Sequence, residues 1–166
     1  MKLIPLNTKH KTKNAGKYFA QVGDEDYDYL MQWNWYAHKL GNTHYAIRGI
    51  RKNKKHCLIL MHRVLLNPKY KERVDHKDHD GLNNQRSNLR IATPSQNAAN
   101  RKPNKNGYSK YLGVCFDKQT KKWRVFIRKN YKKINLGRFS NEIEAALAYD
   151  AAAVKYHGEF ANLNFK

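Results

Sequence analysis

VDHKDHDGLNNQRSNLRIATPSQNAAN, residues 74 to 100, gathers two histidines, three aspartates and a series of asparagines in a chain whose formal net charge is +20. Short oxygen-bearing side chains concentrated against so positive a background call for a local reason. VDH and LRIAT are strand-sized, and the loop between them carries Gly81, Asn83, Asn84 and Asn88, residue types that suit turns. Thr93-Pro94-Ser95-Gln96 then reads as a helix start, with Thr93 as N-cap, Pro94 at the first helical position and Gln96 reaching back from the third. The stretch therefore predicts strand, loop, strand, helix, with Asn97 in the early turns of the helix.

Pairing of the two strands, with the helix packed on them, would bring Asp75 and Asn97 together while His76, the next residue on the strand, points elsewhere. One carboxylate and one amide oxygen suit a hard divalent cation such as Mg²⁺, which keeps waters or phosphate oxygens in its remaining positions. A neutral imidazole beside such an ion can take a proton from an attacking water near neutral pH. These are the parts of a phosphodiesterase. Two plainer readings stand beside it. An Asn- and Asp-rich loop around a glycine is most often only a turn. Cys57, His62, His76 and His79 supply zinc-ligand types, although their spacing matches no common finger and Cys57 lies in an apolar run.

Outward from this stretch, 166 residues allow one ordinary domain or two small ones, and 40% apolar content with 12% aromatics supports a packed core. Thirty-three Lys and Arg face thirteen Asp and Glu, divided as +3 over residues 1–50, +9 over 51–103 and +8 over 104–166. A surplus of that size points to a polyanion, nucleic acid first. The longest apolar run, CLILM at 57–61, is strand-sized and predicts no membrane span. MKLIPLNTKHK lacks the apolar segment of a signal peptide, and Cys57 and Cys115 alone make no disulfide framework, so the expected setting is intracellular and reducing, not secretory.

RKPNKNGYSK, residues 101–110, reads as a linker, with Pro, Gly and Ser among basic and amide side chains. Before it, KYFAQV (17–22), HYAIRGI (44–50) and HCLILMHRVLL (56–66) read as strands or short buried elements, and DYDYLMQWNWYA (26–37) as a short helix followed by an aromatic strand. Trp33, Trp35 and Tyr36 read as core rather than as a base-stacking platform. After it, YLGVCFDK, KWRVFIRK and KKINLGRF predict three antiparallel strands, and SNEIEAALAYDAAAVKYHG a helix capped by Ser140 or Asn141 and stopped at Gly158. Ile143, Leu147, Ala151 and Val154 recur at the helical period, so that face is expected against the sheet. Strand alternation sets Trp123, Val125 and Ile127 on one face of the sheet and Arg124, Phe126 and Arg128 on the other.

The spacing of Asp75-His76, Asn88 and Asn97 resembles that of the HNH (His-Asn-His) endonucleases, above all the homing enzymes of phages and mobile introns. The resemblance implies an α+β chain with a ββα-metal nuclease region. It implies catalytic positions at His76, as general base, and Asn88, as the residue bracing the hairpin. Asp75 and Asn97 would hold one Mg²⁺ or Mn²⁺ ion, and His62 would have a supporting place. Residues 111–165, through GV, KW-x-x-x-IR, LG-x-F, EAA-x-AYD-x-AA, G and LNF, resemble the APETALA-two or ethylene-response-factor type of DNA-binding domain, a three-stranded antiparallel sheet packed on one helix. That resemblance implies contacts to double-stranded DNA from Arg124, Phe126, Arg128, Lys133 and Asn135. Cys115 and Asp117 stand where the plant proteins usually carry arginine, so the plant base preference does not transfer.

The expected organisation is a β-rich region at 1–50 contiguous with the nuclease, a nuclease core at 51–103, a basic linker at 104–110 and a DNA-binding domain at 111–166. The expected function is site-specific cleavage of DNA. A non-enzymatic DNA-binding regulator on the same scaffold is the alternative, and an RNA-binding protein a weaker third reading. Neither a monomer nor a dimer is specified by the sequence.

Overall fold

A computed structural model describes residues 1–7, 17–103 and 107–165; part of the expected linker, residues 104–106, lies outside the described residues. The chain divides into two compact units, Met1–Ala92 and Thr93–Lys166, the division falling ahead of the stretch read as a linker. Small antiparallel sheets and a few helices build both, a mixed α/β architecture.

In the first unit β1 (Lys2–Pro5) pairs antiparallel with β2 (Phe19–Val22), and α1 (Asp24–Met31) follows with Asp24, Glu25 and Asp26 in its first turn, where the helix dipole favours negative charge. A three-stranded sheet comes next, β3 (Tyr36–Leu40), β4 (Thr43–Lys52) and β5 (Lys55–Leu60), with β4 central. The segment HCLILMHRVLL splits between β5 and a short helix, α2 (Met61–Leu66), which Asn67 ends in the left-handed conformation just before Pro68. β6 (Arg73–His76) and β7 (Leu89–Ala92) close the unit as an antiparallel pair. Ile4, Leu6, Val22, Leu30, Trp35 and Met61 are almost fully buried in one core. Trp35 belongs to it as expected, and its indole Nε1 donates to the Leu30 carbonyl at 2.8 Å.

Residues 1–50 also hold the loop of the opening stretch. Gln21 N donates to Leu82 O at 2.9 Å and Asn84 N to Gln21 O at 2.7 Å, so the edge of β2 takes up loop backbone that a free loop would leave to water. Arg86 grips buried Asp26 through two bonds of 2.8 Å and donates to Leu65 O, tying the loop to α1 and α2.

The second unit begins with α3 (Pro94–Ala99). The expected capping box is present in both directions: Gln96 N donates to Thr93 Oγ1 at 3.2 Å and Thr93 N to Gln96 Oε1 at 2.8 Å. The three strands expected after the linker are β8 (Val114–Asp117), β9 (Lys122–Lys129) and β10 (Lys132–Phe139), with β9 central and a bulge between Asn135 and Gly137 on β10. α4 (Glu142–His157) packs on this sheet. Asn141 caps it, accepting from the Ile143 and Glu144 amides, and Gly158 ends it at φ 54.

The face of α4 turned to the sheet differs from the expected one. Ile143, Leu147 and Val154 are each more than half exposed and Ala151 is exposed, whereas Ala145, Ala146, Tyr149, Ala152 and Ala153 are buried. Alanines bring the helix backbone close to the sheet, and a face of branched side chains would hold it off. Gly113, at φ 71, completes the fit, since a Cβ there would run into the Tyr149 ring. The AYD and LNF segments form a clasp across the unit. The backbone amides of Asn164 and Phe165 donate to the buried Asp150 carboxylate at 2.8–3.0 Å, and Asn164 Oδ1 accepts from Leu112 N at 2.6 Å.

Two substitutions separate these roles. Asn164→Ala should cost about 1–3 kcal/mol by leaving the Leu112 amide without its acceptor, and Leu147→Ser no more than about 0.5 kcal/mol, where a buried leucine would cost about 2–5 kcal/mol; urea unfolding of the full chain measures both.

Candidate active site and nucleic-acid surface

Strand alternation on β6 turns Asp75 and His76 to opposite faces. Arg90, directly across on β7, donates from Nε to Asp75 Oδ2 at 2.8 Å, and its Nη2 lies 2.7 Å from the same oxygen. Both side chains are largely buried, so the carboxylate has a strong internal counterion. On the other face, the His76 ring meets His62 of α2 edge-on, centroids 5.0 Å apart, and Tyr45 of β4 at 5.7 Å; Tyr45 and His62 touch at 5.6 Å. Three rings from three elements thus wall one another.

Burial decides the charge of this cluster. It lowers the His76 pKa, against the opposing pull of Asp78, Asp75, the Asn84 side chain and Asp80, so the neutral imidazole is favoured. For His62, burial, then His76 and Arg63, push the value down to about 3. Tyr45 is raised by burial and by the charge of Asp75. Gly81 is required beside it, because a Cβ would strike the Tyr45 ring and the His44 carbonyl.

Asn88 stands at the other end of the loop. Its Nδ2 donates to Asp78 Oδ1 and to Asn83 O, both at 2.9 Å, its Oδ1 accepts from Asp78 N at 3.1 Å, and its carbonyl accepts from Lys77 N at 3.0 Å. Asp78, which reads in the sequence as an ordinary loop residue, is the other half of this knot. Burial alone would raise its pKa, but bonds from the Asp80 amide and the Asn83 and Asn88 side chains hold it below the usual carboxylate range. Asn97 is exposed on α3, in the second unit. Among the described residues no three of His, Cys, Asp and Glu gather as a metal-holding group, and the zinc set Cys57, His62, His76 and His79 gains no support; Cys57 is exposed.

In the second unit, the five side chains read as DNA contacts share one sheet face. Phe126 lies opposite Asn135 and Arg128 opposite Lys133, and the Lys133 ammonium sits 4.0 Å from the centre of the Phe126 ring. Arg138, missed in the sequence, is directly opposite Arg124 and near Asp117 at 3.6 Å. Among the described residues the buried Arg124 Nε has no hydrogen-bond partner. Like charges directly opposed across strands destabilise a sheet, and here they recur at Arg124 with Arg138 and at Arg128 with Lys133.

A family model described as HNH endonuclease matches residues 68–99, from just after α2 to the end of α3. A protein of Acanthamoeba polyphaga mimivirus, named uncharacterized HNH endonuclease L560, is 30% identical over 149 residues, spanning 88% of this chain and 74% of that protein. The chain belongs to the HNH endonuclease family. It is a nuclease, and Asp75, His76, Asn88 and Asn97 fall within the stretch that the family model matches. Protein 3.8 of Escherichia phage T7 is 31% identical over 88 residues, 53% of this chain and 72% of that protein. A shorter similarity, 44% over 57 residues, relates 34% of this HNH endonuclease to 12% of the AP2-like ethylene-responsive transcription factor TOE2 of Arabidopsis thaliana. Among the described residues no helix is long and apolar enough to cross a membrane.

Arg90 was open to discovery from the register of the hairpin, which sets a cation across from Asp75. Tyr45 was not, since nothing near it in sequence relates it to His76.

The buried neutral His62 has a consequence for stability. The unfolded imidazole takes its proton near the ordinary 6.5 and the folded one only near 3, so between these values unfolding takes up a proton. Stability contributed by His62 is complete above 6.5 and is lost as pH falls toward 3, by up to about 1.4 kcal/mol per pH unit. In urea titrations across this range, His62→Phe should flatten the pH dependence by that increment, and an unchanged slope would show the ring not to be held neutral.

Proposed function

We propose that this HNH endonuclease is a site-specific enzyme of the homing type that hydrolyses phosphodiester bonds in double-stranded DNA, using one Mg²⁺ or Mn²⁺ ion per site and His76 as general base. The observation that carries the reading is the state of His76: a buried imidazole, neutral by burial and fixed between His62 and Tyr45, on the residue after a buried carboxylate.

The support for the ion is the donor chemistry of the two side chains. Asp75 and Asn97 offer a carboxylate and an amide oxygen, a hard donor set that leaves positions for water and phosphate oxygens. Arg90 pairs with Asp75 Oδ2 through Nε and Nη2, so the ion would have to share or displace that guanidinium. When bound, the ion would supply positive charge to the developing phosphorane and the leaving 3′ oxygen. His76 removes the proton of the attacking water, a task for which a neutral ring is needed. His62 and Tyr45 hold that ring in one orientation. Asn88 is a positioning residue, since it closes the loop that begins just after His76.

The organisation proposed with this function has residues 1–50 completing the nuclease, 51–103 carrying its core, 104–110 linking and 111–166 reading DNA through Arg124, Phe126, Arg128, Lys133 and Asn135. The unsatisfied Arg124 Nε and the opposed cations of that sheet face suit phosphate or a guanine edge. A second reading, a DNA-binding regulator without turnover, is favoured by one observation: the short Arg90–Asp75 pair already neutralises the carboxylate.

Plasmid DNA incubated with the full chain should be cut in Mg²⁺ or Mn²⁺ and left intact in EDTA. His76→Ala should lower the rate by about 10²–10⁴-fold with duplex binding retained. Duplex binding by the unaltered chain with no cleavage in either metal would return the regulator reading.

A further inference from the structure

The β4–β5 hairpin reaches beyond the sheet that supports it. β3 pairs with β4 only from Thr43 to Ile47, whereas β5 pairs with β4 from Ile47 to Lys52. Past Ile47, the five pairs from Arg48–Ile59 to Lys52–Lys55 form a two-stranded ribbon, about 17 Å long at the rise of an antiparallel strand. Its turn is tight: Asn53 and Lys54 both have left-handed backbones, at φ 49 and 59, as a two-residue turn that follows the strand twist demands. Every residue from Arg51 to Leu58 is exposed.

The charge of this ribbon has one sign. Between Asp28 and Glu72 the chain contains no acidic residue, and the ribbon end carries Arg51, Lys52, Lys54 and Lys55 within five positions. Lys52 and Lys55 lie directly opposite each other, an arrangement that costs stability unless an anion is shared between them. None of the ion pairs among the described residues involves any of the four. At the base, the Arg48 guanidinium stacks 4.1 Å from the Trp33 ring centre, which steadies the ribbon where it leaves the sheet. A two-stranded ribbon is marginal by itself, so these cations are held out from the core at a structural cost.

We propose that this ribbon is a second DNA-contacting element, within the nuclease unit itself and separate from the sheet of the second unit, and that it enters a groove of the duplex being cut. The major groove is about 12 Å wide and admits a two-stranded ribbon. Lys52, Lys54 and Lys55 then reach the phosphates on the groove walls, while Arg51 can meet a base edge. The proposal deepens the reading of the chain as a DNA endonuclease and rests on it only for the identity of the polyanion.

The test is duplex binding without cleavage. The full chain is titrated in EDTA against a labelled mixed-sequence duplex between about 50 and 200 mM salt. The triple variant Lys52→Ala, Lys54→Ala, Lys55→Ala is compared with a control of equal charge, Lys69→Ala, Lys71→Ala, Lys155→Ala. The ribbon variant should reduce the slope of log K against log salt by about 2.7, the loss of three phosphate contacts, and the control should change it little. Replacing the same three lysines by glutamine, which keeps the stems, should reproduce the loss with unfolding curves unchanged. Equal effects of ribbon and control variants would overturn the proposal, as would a ribbon effect confined to single-stranded RNA or to phosphatidylserine vesicles. Since no metal or turnover enters, absence of cleavage by the unaltered chain would count against the nuclease reading alone.

Discussion

The mutual clasp of Asn88 and Asp78 is the constraint on which the nuclease region depends. Eleven residues separate His76 from Asn88 in sequence, and the edge of β2 takes up only part of their backbone, through Gln21. Asn88 closes the span by bonding the backbone and side chain of Asp78 and the carbonyl of Asn83. Its backbone carbonyl takes the Lys77 amide, so β6 and β7 meet in register just before the loop opens. That register in turn sets Arg90 against Asp75 and turns His76 toward His62 and Tyr45. An aspartate at 78 is needed because the clasp uses both of its oxygens, accepting from Asn88 on one and from Asn83 on the other.

Positive charge organises the surface by the opposite logic. A folded chain at +20 repels itself, and spacing cations evenly would reduce that repulsion. Instead they are concentrated: Arg124 faces Arg138, Arg128 faces Lys133, and Lys52 faces Lys55 across neighbouring strands. The three buried acidic groups among the described residues are committed to internal duties, Asp26 to Arg86, Asp75 to Arg90, Asp150 to the backbone of residues 164 and 165. Strands make such concentration possible because alternate residues share a face, so a handful of cations on paired strands form a continuous field.

Legibility followed the range of the interaction involved. The Thr93–Gln96 capping box, the three strands after residue 110 and the Asn141 cap are local, and each was readable because the determining atoms lie within a few residues of one another. The orientation of α4 was not. Helical periodicity marked Ile143, Leu147 and Val154, but the sheet accepted the alanine face because close approach to Val125 and Ile127, with the Tyr149 ring set over Gly113, outweighs burying a few branched side chains. Likewise Asp78 looked like one more loop acid until its distance from Asn88 was known.

The sequence by itself determined the order and kind of the elements, the basic character of the chain and its likeness to the family over residues 68–99. These are properties of neighbours along the chain and of total charge. Only the tertiary structure decided that His76 is kept neutral between His62 and Tyr45, that Arg90 neutralises Asp75, and that the ribbon past Ile47 stands clear of β3. Each of these depends on desolvation or on pairing between distant segments, and no local pattern of residues specifies how much water a side chain loses or which strand edge is left without a neighbour.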